Sequence, residues 1–202
     1  MPESAPDNAP RSRAFAIRAV ATLIVVILLG VAAFLLTSPP MRTRAALIGG
    51  PFALQDGSGK TVSNQTLKGR PFLVYFGYTH CPDVCPTELA HISEILDKMG
   101  RKSIPALFIT VDPDRDTPKI MQDYVSSFNP AIVGLSGTPQ AVAATEKTFR
   151  VFARKGEKQP DGDYSMDHSS VVYLMDKNGA FIEAFNVERP PADAAKELEK
   201  YL

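Results

Sequence analysis

The stretch Pro71–Pro86, PFLVYFGYTHCPDVCP, joins an apolar run to the only two cysteines among the 202 residues of the chain. Phe72–Phe76 is predicted to be a buried strand, and the apolar residues after the cysteines recur at helical spacing up to Gly100. Cys81 and Cys85 therefore lie on a strand-to-helix turn. Unpaired N–H groups at a helix start favour the thiolate form of a nearby cysteine. This turn is the candidate site for soft-metal or thiol chemistry.

The spacing of the two cysteines leaves both kinds of chemistry open. Residues i and i+4 on a helical turn have Cβ atoms about 5–6 Å apart, which one small cation can bridge. A disulfide needs Cβ atoms about 3.5–4.5 Å apart, which a first turn distorted by Pro82 and Pro86 would supply. A disulfide that only stabilises the fold is the weaker interpretation, because it would close a very small loop.

The N-terminal segment differs in composition from the rest of the chain. Residues 1–18 form a polar tail, and Ala19–Leu36 is an 18-residue stretch without a charge, near the length that spans a bilayer core. A cleaved signal peptide is the alternative, but its apolar core usually has about 7–15 residues. We therefore predict an uncleaved transmembrane anchor at 19–36 and a linker at 37–44. Three arginines precede the stretch and two follow it, a small bias toward a cytoplasmic N-terminus.

Residues 45–202 have the length of one domain. They contain 17 Lys and Arg residues and 20 Asp and Glu residues, a net charge of −3, which gives no indication of nucleic-acid binding. Pro105–Val111 is a second continuous apolar run, as expected for a strand that is covered on both faces. Two such strands joined by a helix form a βαβ unit.

The other segments complete an α/β pattern. A helix is expected to begin at Asp116 or Thr117, with Asp116 favoured as its N-cap. Its apolar face is expected to consist of Ile120, Met121, Tyr124, Val125 and Phe128. The order βαβαβαββα predicts an α/β sandwich around a buried sheet. The remaining predicted elements are a hairpin at Phe52–Val62, a strand at Ile132–Leu135, a helix from Thr138 to Phe149, a loop at Arg154–Asp163, a hairpin at Val171–Phe185 and a helix at Pro191–Leu202.

Three separated motifs resemble those of the SCO/SenC family, namely Phe76–Pro86, Val111–Pro118 and Asp167–Ser169. The resemblance covers nearly all of residues 45–202, and the N-terminal anchor is similar as well. It implies a thioredoxin-like fold, with a central mixed β-sheet flanked by helices. It also implies a membrane-anchored copper chaperone that takes part in building the dinuclear copper centre of cytochrome c oxidase subunit II.

The resemblance further implies which residues bind copper. Cys81, Cys85 and His168 match the ligand positions of the family, and Asp112 is expected to act beside them. The cofactor would be copper, as Cu(I) and Cu(II), and the protein would bind and transfer it rather than act as an enzyme. The expected partners are subunit II and other periplasmic copper chaperones or thiol–disulfide reductases. The soluble domain is expected on the periplasmic side of the inner membrane, or in the mitochondrial intermembrane space of a eukaryote.

The chemistry of the donors agrees with copper. Two thiolates and an imidazole form a soft three-donor set, whereas zinc would want a fourth ligand that the sequence does not offer at an evident spacing. Successive side chains at a strand end point in opposite directions, so His80 is not expected to share a metal with Cys81. Met166 is a conceivable weak ligand, although a core or surface role is favoured. His91 is expected on the helix surface.

Two other classes of function stay open. A thiol–disulfide oxidoreductase would keep the copper-ligand cysteines of an acceptor reduced, and this role is compatible with copper delivery. Against a purely redox function, the common Cys-x-x-Cys spacing is absent and no proline follows His168. A peroxidase-like thiol enzyme is less supported, because only the cysteine pair points to it.

Overall fold

The chain divides into two units, at residues 1–41 and 42–202. The structure is a computed structural model that describes residues 18, 21–31, 33–34, 48–160 and 162–202. The predicted linker, all of the predicted tail except residue 18, and residues 19, 20, 32, 35 and 36 of the predicted anchor lie outside the described residues.

In the first unit, residues 21–31 and 33–34 are helical, and the large apolar side chains among them are exposed. A search of the described residues finds no helix that is both long enough and apolar enough to cross a membrane.

The second unit is built around a five-stranded mixed sheet. Its strands lie in the order β5-β4-β3-β8-β9, with β3 parallel to β4, β4 parallel to β5, and β8 antiparallel to both β3 and β9. The α/β sandwich with a central mixed sheet is therefore confirmed. Among the described residues, the strands are β1 Ala53–Gln55, β2 Thr61–Ser63, β3 Phe72–Gly77, β4 Ala106–Thr110, β5 Ile132–Leu135, β6 Ala153–Lys155, β7 Met166–His168, β8 Val172–Met175 and β9 Phe181–Ala184.

The helices begin and end close to the predicted positions. Every residue of β3 and β4 is buried, because helices cover the sheet. The helix that carries Cys85 ends at Met99, and the φ of 55° at its C-cap, Gly100, suits a glycine. The fourth helix ends at Leu198, and a short 3₁₀ turn at Glu199–Tyr201 replaces the rest of the predicted helix. The α-helices described in the second unit are α1 Val84–Met99, α2 Pro118–Val125, α3 Pro139–Phe149 and α4 Pro191–Leu198.

The predicted N-cap of α2 is wrong, and its predicted apolar face is confirmed except at Ile120. The N-cap is Thr117, whose hydroxyl accepts a hydrogen bond from the N–H of Ile120, whereas the Asp116 side chain is fully buried. Ile120 is 40% exposed, so the buried face of the helix is formed by Met121 and Val125. Local capping preference favours Asp116. Its buried carboxylate instead accepts hydrogen bonds from Thr79 and Thr110, outside the helix.

The predicted loop at Arg154–Asp163 is partly wrong. Its first two residues belong to β6, which pairs antiparallel with β7 in a two-stranded sheet of its own. His168 is the last residue of β7 and pairs with Ala153. The candidate ligand therefore lies on a hairpin, which we call the β6–β7 hairpin, and not simply in a loop before β8.

Candidate metal centre

The turn between β3 and α1 positions both cysteines. The N–H of Cys81 donates to the carbonyl of Tyr78 at 3.3 Å, which closes the turn after β3. Cys85 lies in the first turn of α1, and its N–H donates to the Sγ atom of Cys81 at 3.4 Å. Both side chains are free thiols and both are buried. The predicted strand-to-helix turn is confirmed, and it points both sulfurs inward.

His168 joins the two cysteines across 83 residues of sequence. Its Nε2 atom lies 3.6 Å from Cys85 Sγ. One donor atom from each of Cys81, Cys85 and His168 lies within 4.8 Å of the other two. In the part of the chain that the structure describes, these three residues form the group of His, Cys, Asp and Glu side chains that could hold a metal ion.

A contact with a backbone carbonyl determines which nitrogen of His168 is available to bind a metal ion. The Nδ1 atom lies 3.2 Å from the carbonyl oxygen of Ser169. Because a carbonyl only accepts, Nδ1 carries the proton in this contact, and Nε2 of the neutral ring keeps its lone pair toward the sulfurs. Metal-bound histidines commonly make such a contact through their second nitrogen.

Burial controls the protonation of the site. Burial, together with the neighbouring Cys81, raises the pKa of the Cys85 thiol to about 12. The expectation that the helix start favours a thiolate is therefore wrong for Cys85, since the loss of solvation outweighs the helix N-terminus. Burial also lowers the pKa of His168 below its ordinary value of 6.5. At pH 7 both Cys85 and His168 are neutral.

Two of the three donor residues line an open depression of about 340 Å³. Cys81, His168 and Met166 lie in its wall, so the structure brings Met166 to the rim of the site. His80 is exposed, with its Nδ1 atom 3.2 Å from the Thr79 hydroxyl, and does not belong to the donor group. His91 is half-buried on α1 and does not belong to the donor group.

Asp112 is buried near the site and contacts two side chains. It accepts hydrogen bonds from Arg115 Nε and, at 2.8 Å, from the Tyr164 hydroxyl. Arg115 in turn lies near the ring of Tyr78, which packs edge-on against His168 with ring centroids 5.8 Å apart. Sequence reasoning missed Tyr164, because no spacing rule connects it to a residue 52 positions earlier.

Asp116 is hydrogen-bonded to the turn that carries Cys81. Its carboxylate accepts from the N–H of Thr79 at 3.0 Å, from the Thr79 hydroxyl at 2.5 Å and from the Thr110 hydroxyl at 2.8 Å. Thr110 ends β4, and Thr79 lies two residues before Cys81. The buried carboxylate thus connects the end of a central strand to the turn.

Comparison with known proteins agrees with this geometry. The sequence model of the family described as SCO1/SenC matches residues 40–202. The chain belongs to the SCO1/SenC family. The structure of Bradyrhizobium japonicum ScoI with copper bound is 52% identical, covers 77% of this chain and 99% of that protein, and superimposes with a TM-score of 0.74.

Two further relatives show the range of the family. The mitochondrial protein SCO1 homolog 1 of Arabidopsis thaliana is 38% identical over 163 residues, which is 77% of this chain and 48% of the plant protein. The chain therefore spans about half the length of that relative. BsSco, described as a member of the Sco family of cytochrome c oxidase assembly proteins with a disulfide switch, is 25% identical with a TM-score of 0.60, covering 75% of this chain and 91% of that one.

Proposed function

We propose that this chain is a copper chaperone that binds copper through Cys81, Cys85 and His168. The observation that carries the proposal is the convergence of one nitrogen and two sulfur donors within 4.8 Å. Thiolate and imidazole donors suit copper, and Cu(I) is satisfied by few ligands. The ScoI relative from Bradyrhizobium japonicum binds copper, which supports the same choice of metal here.

The acceptor that we propose is subunit II of cytochrome c oxidase, where the chaperone would help to build the dinuclear copper centre. BsSco belongs to a family of cytochrome c oxidase assembly proteins, which supports this role. Copper is the cargo, and the open depression beside Cys81 and His168 would let acceptor ligands approach it. Asp112 would act beside the ligands through Arg115. The protein would bind and transfer copper rather than turn over a substrate.

We also propose that residues 19–36 anchor the protein in a membrane. The stretch has no charged residue, and its described apolar side chains, such as Leu23 at 60% and Phe34 at 70%, are exposed. Residues 45–202 would then lie on the periplasmic side of the inner membrane, or in the mitochondrial intermembrane space, together with other copper chaperones or thiol–disulfide reductases. The full chain should resist alkaline extraction from membranes. A mature N-terminus that begins after residue 36 would contradict the anchor.

A thiol–disulfide oxidoreductase that reduces the acceptor's copper-ligand cysteines is the second candidate. The observation in its favour is that Cys81 and Cys85 are free thiols, one turn apart, with Cys81 in the wall of an open depression. A disulfide switch is known in the relative BsSco. Thiol exchange needs two sulfurs and access to them, but it does not need His168.

The experiment that separates the two functions compares His168→Ala with the matched control His80→Ala. Copper binding is titrated without oxygen in both oxidation states, and then copper transfer to a subunit II fragment and reduction of its disulfide are followed. For a chaperone, His168→Ala should weaken Cu(II) binding far more than Cu(I) binding and abolish transfer, while disulfide reduction persists. The control should behave as wild type.

Three outcomes would count against the assignment. Unchanged copper binding and transfer in His168→Ala would remove the histidine from the ligand set. Equal loss of thiol exchange and copper transfer would mean that His168 serves the cysteines themselves. Full disulfide reduction by a wild-type chain that binds no copper would leave the oxidoreductase as the function.

A further inference from the structure

The β6–β7 hairpin carries His168, but it does not extend the central sheet. It forms a separate two-stranded sheet of three residue pairs, Ala153 with His168, Arg154 with Asp167 and Lys155 with Met166. Its hydrogen-bond ladder therefore fixes the two strands to each other and not to the cysteine turn. The distance from His168 to Cys85 must depend on side-chain contacts between the hairpin and the rest of the domain.

Arg115 provides such contacts to the segment that connects β6 and β7. Its side chain is only 17% exposed and forms ion pairs with Asp112 through Nε and with Asp163 through Nη1. Its Cζ atom also lies 3.6 Å from the ring centroid of Tyr164. The Tyr164 hydroxyl donates to Asp112 at 2.8 Å, so two partners of Tyr164, Asp112 and Arg115, come from the turn after β4. A third, Lys155, belongs to the hairpin itself, with Nζ 3.7 Å from the Tyr164 ring centroid. Stacked and ion-paired contacts of this kind suit a planar guanidinium.

A second set of contacts connects Arg115 with the histidine ring itself. The Cζ atom of Arg115 lies 5.8 Å from the ring centroid of Tyr78, a residue that is 3% exposed. The Tyr78 ring meets the His168 ring edge-on, with an interplanar angle of 88°. Tyr78 therefore lies between Arg115 and the His168 ring of the hairpin.

We propose that Arg115 is a positioning residue for His168. Through Tyr164 and Tyr78 it holds the β6–β7 hairpin against the cysteine turn and keeps Nε2 of His168 3.6 Å from Cys85 Sγ. Arg115 forms ion pairs with two carboxylates and does not belong to the donor group, so we assign it a geometric effect on the site. This inference rests on the proposed function in one respect, namely that the ion is copper.

The consequence concerns the oxidation state of the bound ion. Cu(I) can stay two-coordinate on Cys81 and Cys85, whereas the tetragonal preference of Cu(II) is poorly met without the imidazole. Loss of Arg115 should therefore lower the affinity for Cu(II) and leave the affinity for Cu(I) unchanged. A substitution that only destabilised the whole fold would weaken the binding of both ions, because both are bound by the cysteines of the turn.

The test compares Arg115→Ala with Arg154→Ala in the full chain. Arg154 is the matched control, because it lies on the same hairpin and pairs with Asp167 at 2.7 Å, but its side chain is 70% exposed. In metal-free Arg115→Ala, the N–H of Ser169, bonded to the carbonyl of Phe152, should exchange with solvent faster than in wild type. Its Cu(II) affinity should fall about 10- to 100-fold, with altered Cu(II) spectra and unchanged Cu(I) affinity. Arg154→Ala should match wild type in all four measurements.

Two milder variants cover the case in which Arg115→Ala does not fold. Arg115→Lys keeps the charge but loses the planar stack, and Tyr164→Phe keeps the ring but loses the hydroxyl bond to Asp112. Each variant should lower the Cu(II) affinity relative to the Cu(I) affinity, as Arg115→Ala does, but by a smaller factor. The positioning role would be overturned if the affinities for Cu(I) and Cu(II) fell equally. It would also be overturned if the Cu(II) affinity and the exchange rate of the Ser169 N–H matched those of Arg154→Ala. Failure of wild type to bind copper would instead reject the proposed function, while the exchange measurement would still test Arg115.

Discussion

Gly77 leaves the space that the Cys85 sulfur occupies. A Cβ atom at position 77 would lie 2.7 Å from Cys85 Sγ and 2.7 Å from Cε2 of Phe108. Both neighbours are fully buried, so neither has room to withdraw. The last residue of β3 is therefore part of the candidate metal centre, although it contributes no side-chain donor.

Gly77→Ala should displace α1 or the ring of Phe108 and destabilise the domain by about 1–3 kcal/mol, the usual cost of overpacking a core. Urea denaturation measures this, and a Cu(I) competition titration should show weaker binding because Cys85 has moved. Gly50→Ala is the control, since its Cβ would lie 3.4 Å from Thr148 Cβ, an ordinary contact. Equal stability of the two variants would show that the site tolerates the extra atom.

Copper binding should release a proton from Cys85. With a pKa of about 12, this thiol is protonated at pH 7.5, and it must become a thiolate to bind the metal. The apparent affinity should therefore rise with pH, by about tenfold per pH unit for each proton released. His168 adds no proton at this pH, because its pKa lies below 6.5 and the ring is already neutral.

Anaerobic calorimetry of Cu(I) binding in two buffers of different ionisation enthalpy counts the released protons. His168→Ala serves as the control, since it should leave the count at pH 7.5 unchanged. Cys85→Ser separates the contribution of Cys85 from that of the other thiol. A proton count that is the same in Cys85→Ser and wild type would mean that Cys85 is already a thiolate or does not bind the ion.

The regular elements were predictable because their sequences carry strong local patterns. β3 and β4 are continuous apolar runs, and α1 has buried residues at helical spacing before Gly100. The β6–β7 hairpin was not predictable in this way. Its strands have three residues each, and Arg154, Lys155 and Asp167 are exposed charges that give no apolar alternation.

Only part of the candidate site could be predicted from local sequence. The rarity of cysteine singled out Cys81 and Cys85, but His168 could be chosen only through the family motif, since its contact with Cys85 spans 83 residues. The role of Asp116 was wrong because capping rules consider one helix alone. Its real partners are Thr79 and Thr110, which tertiary structure brings together.

Oxidation of the two thiols should abolish copper binding, and reduction should restore it. Both reactions use the same sulfurs, because Cys81 and Cys85 are the only cysteines of the chain. Copper stoichiometry is measured on protein oxidised with a disulfide reagent, then again after treatment with a phosphine reductant. Copper that stays bound with full affinity to oxidised protein would place the metal elsewhere, with Met166 and His80 the first positions to test.

Asp116→Ala should weaken both the fold and the metal centre. The change leaves the N–H of Thr79 and the hydroxyl of Thr110 without their acceptor, and each unsatisfied buried group costs about 1–3 kcal/mol. Because Thr79 precedes Cys81 by two residues, the turn should loosen and Cu(I) affinity should fall with the free energy of unfolding. Asp123→Ala is the control, since its exposed pair with Lys119 should be worth less than about 0.5 kcal/mol. Chemical denaturation and Cu(I) competition decide the matter, and a loss of stability in Asp116→Ala no larger than in Asp123→Ala would show that the carboxylate does not support the turn.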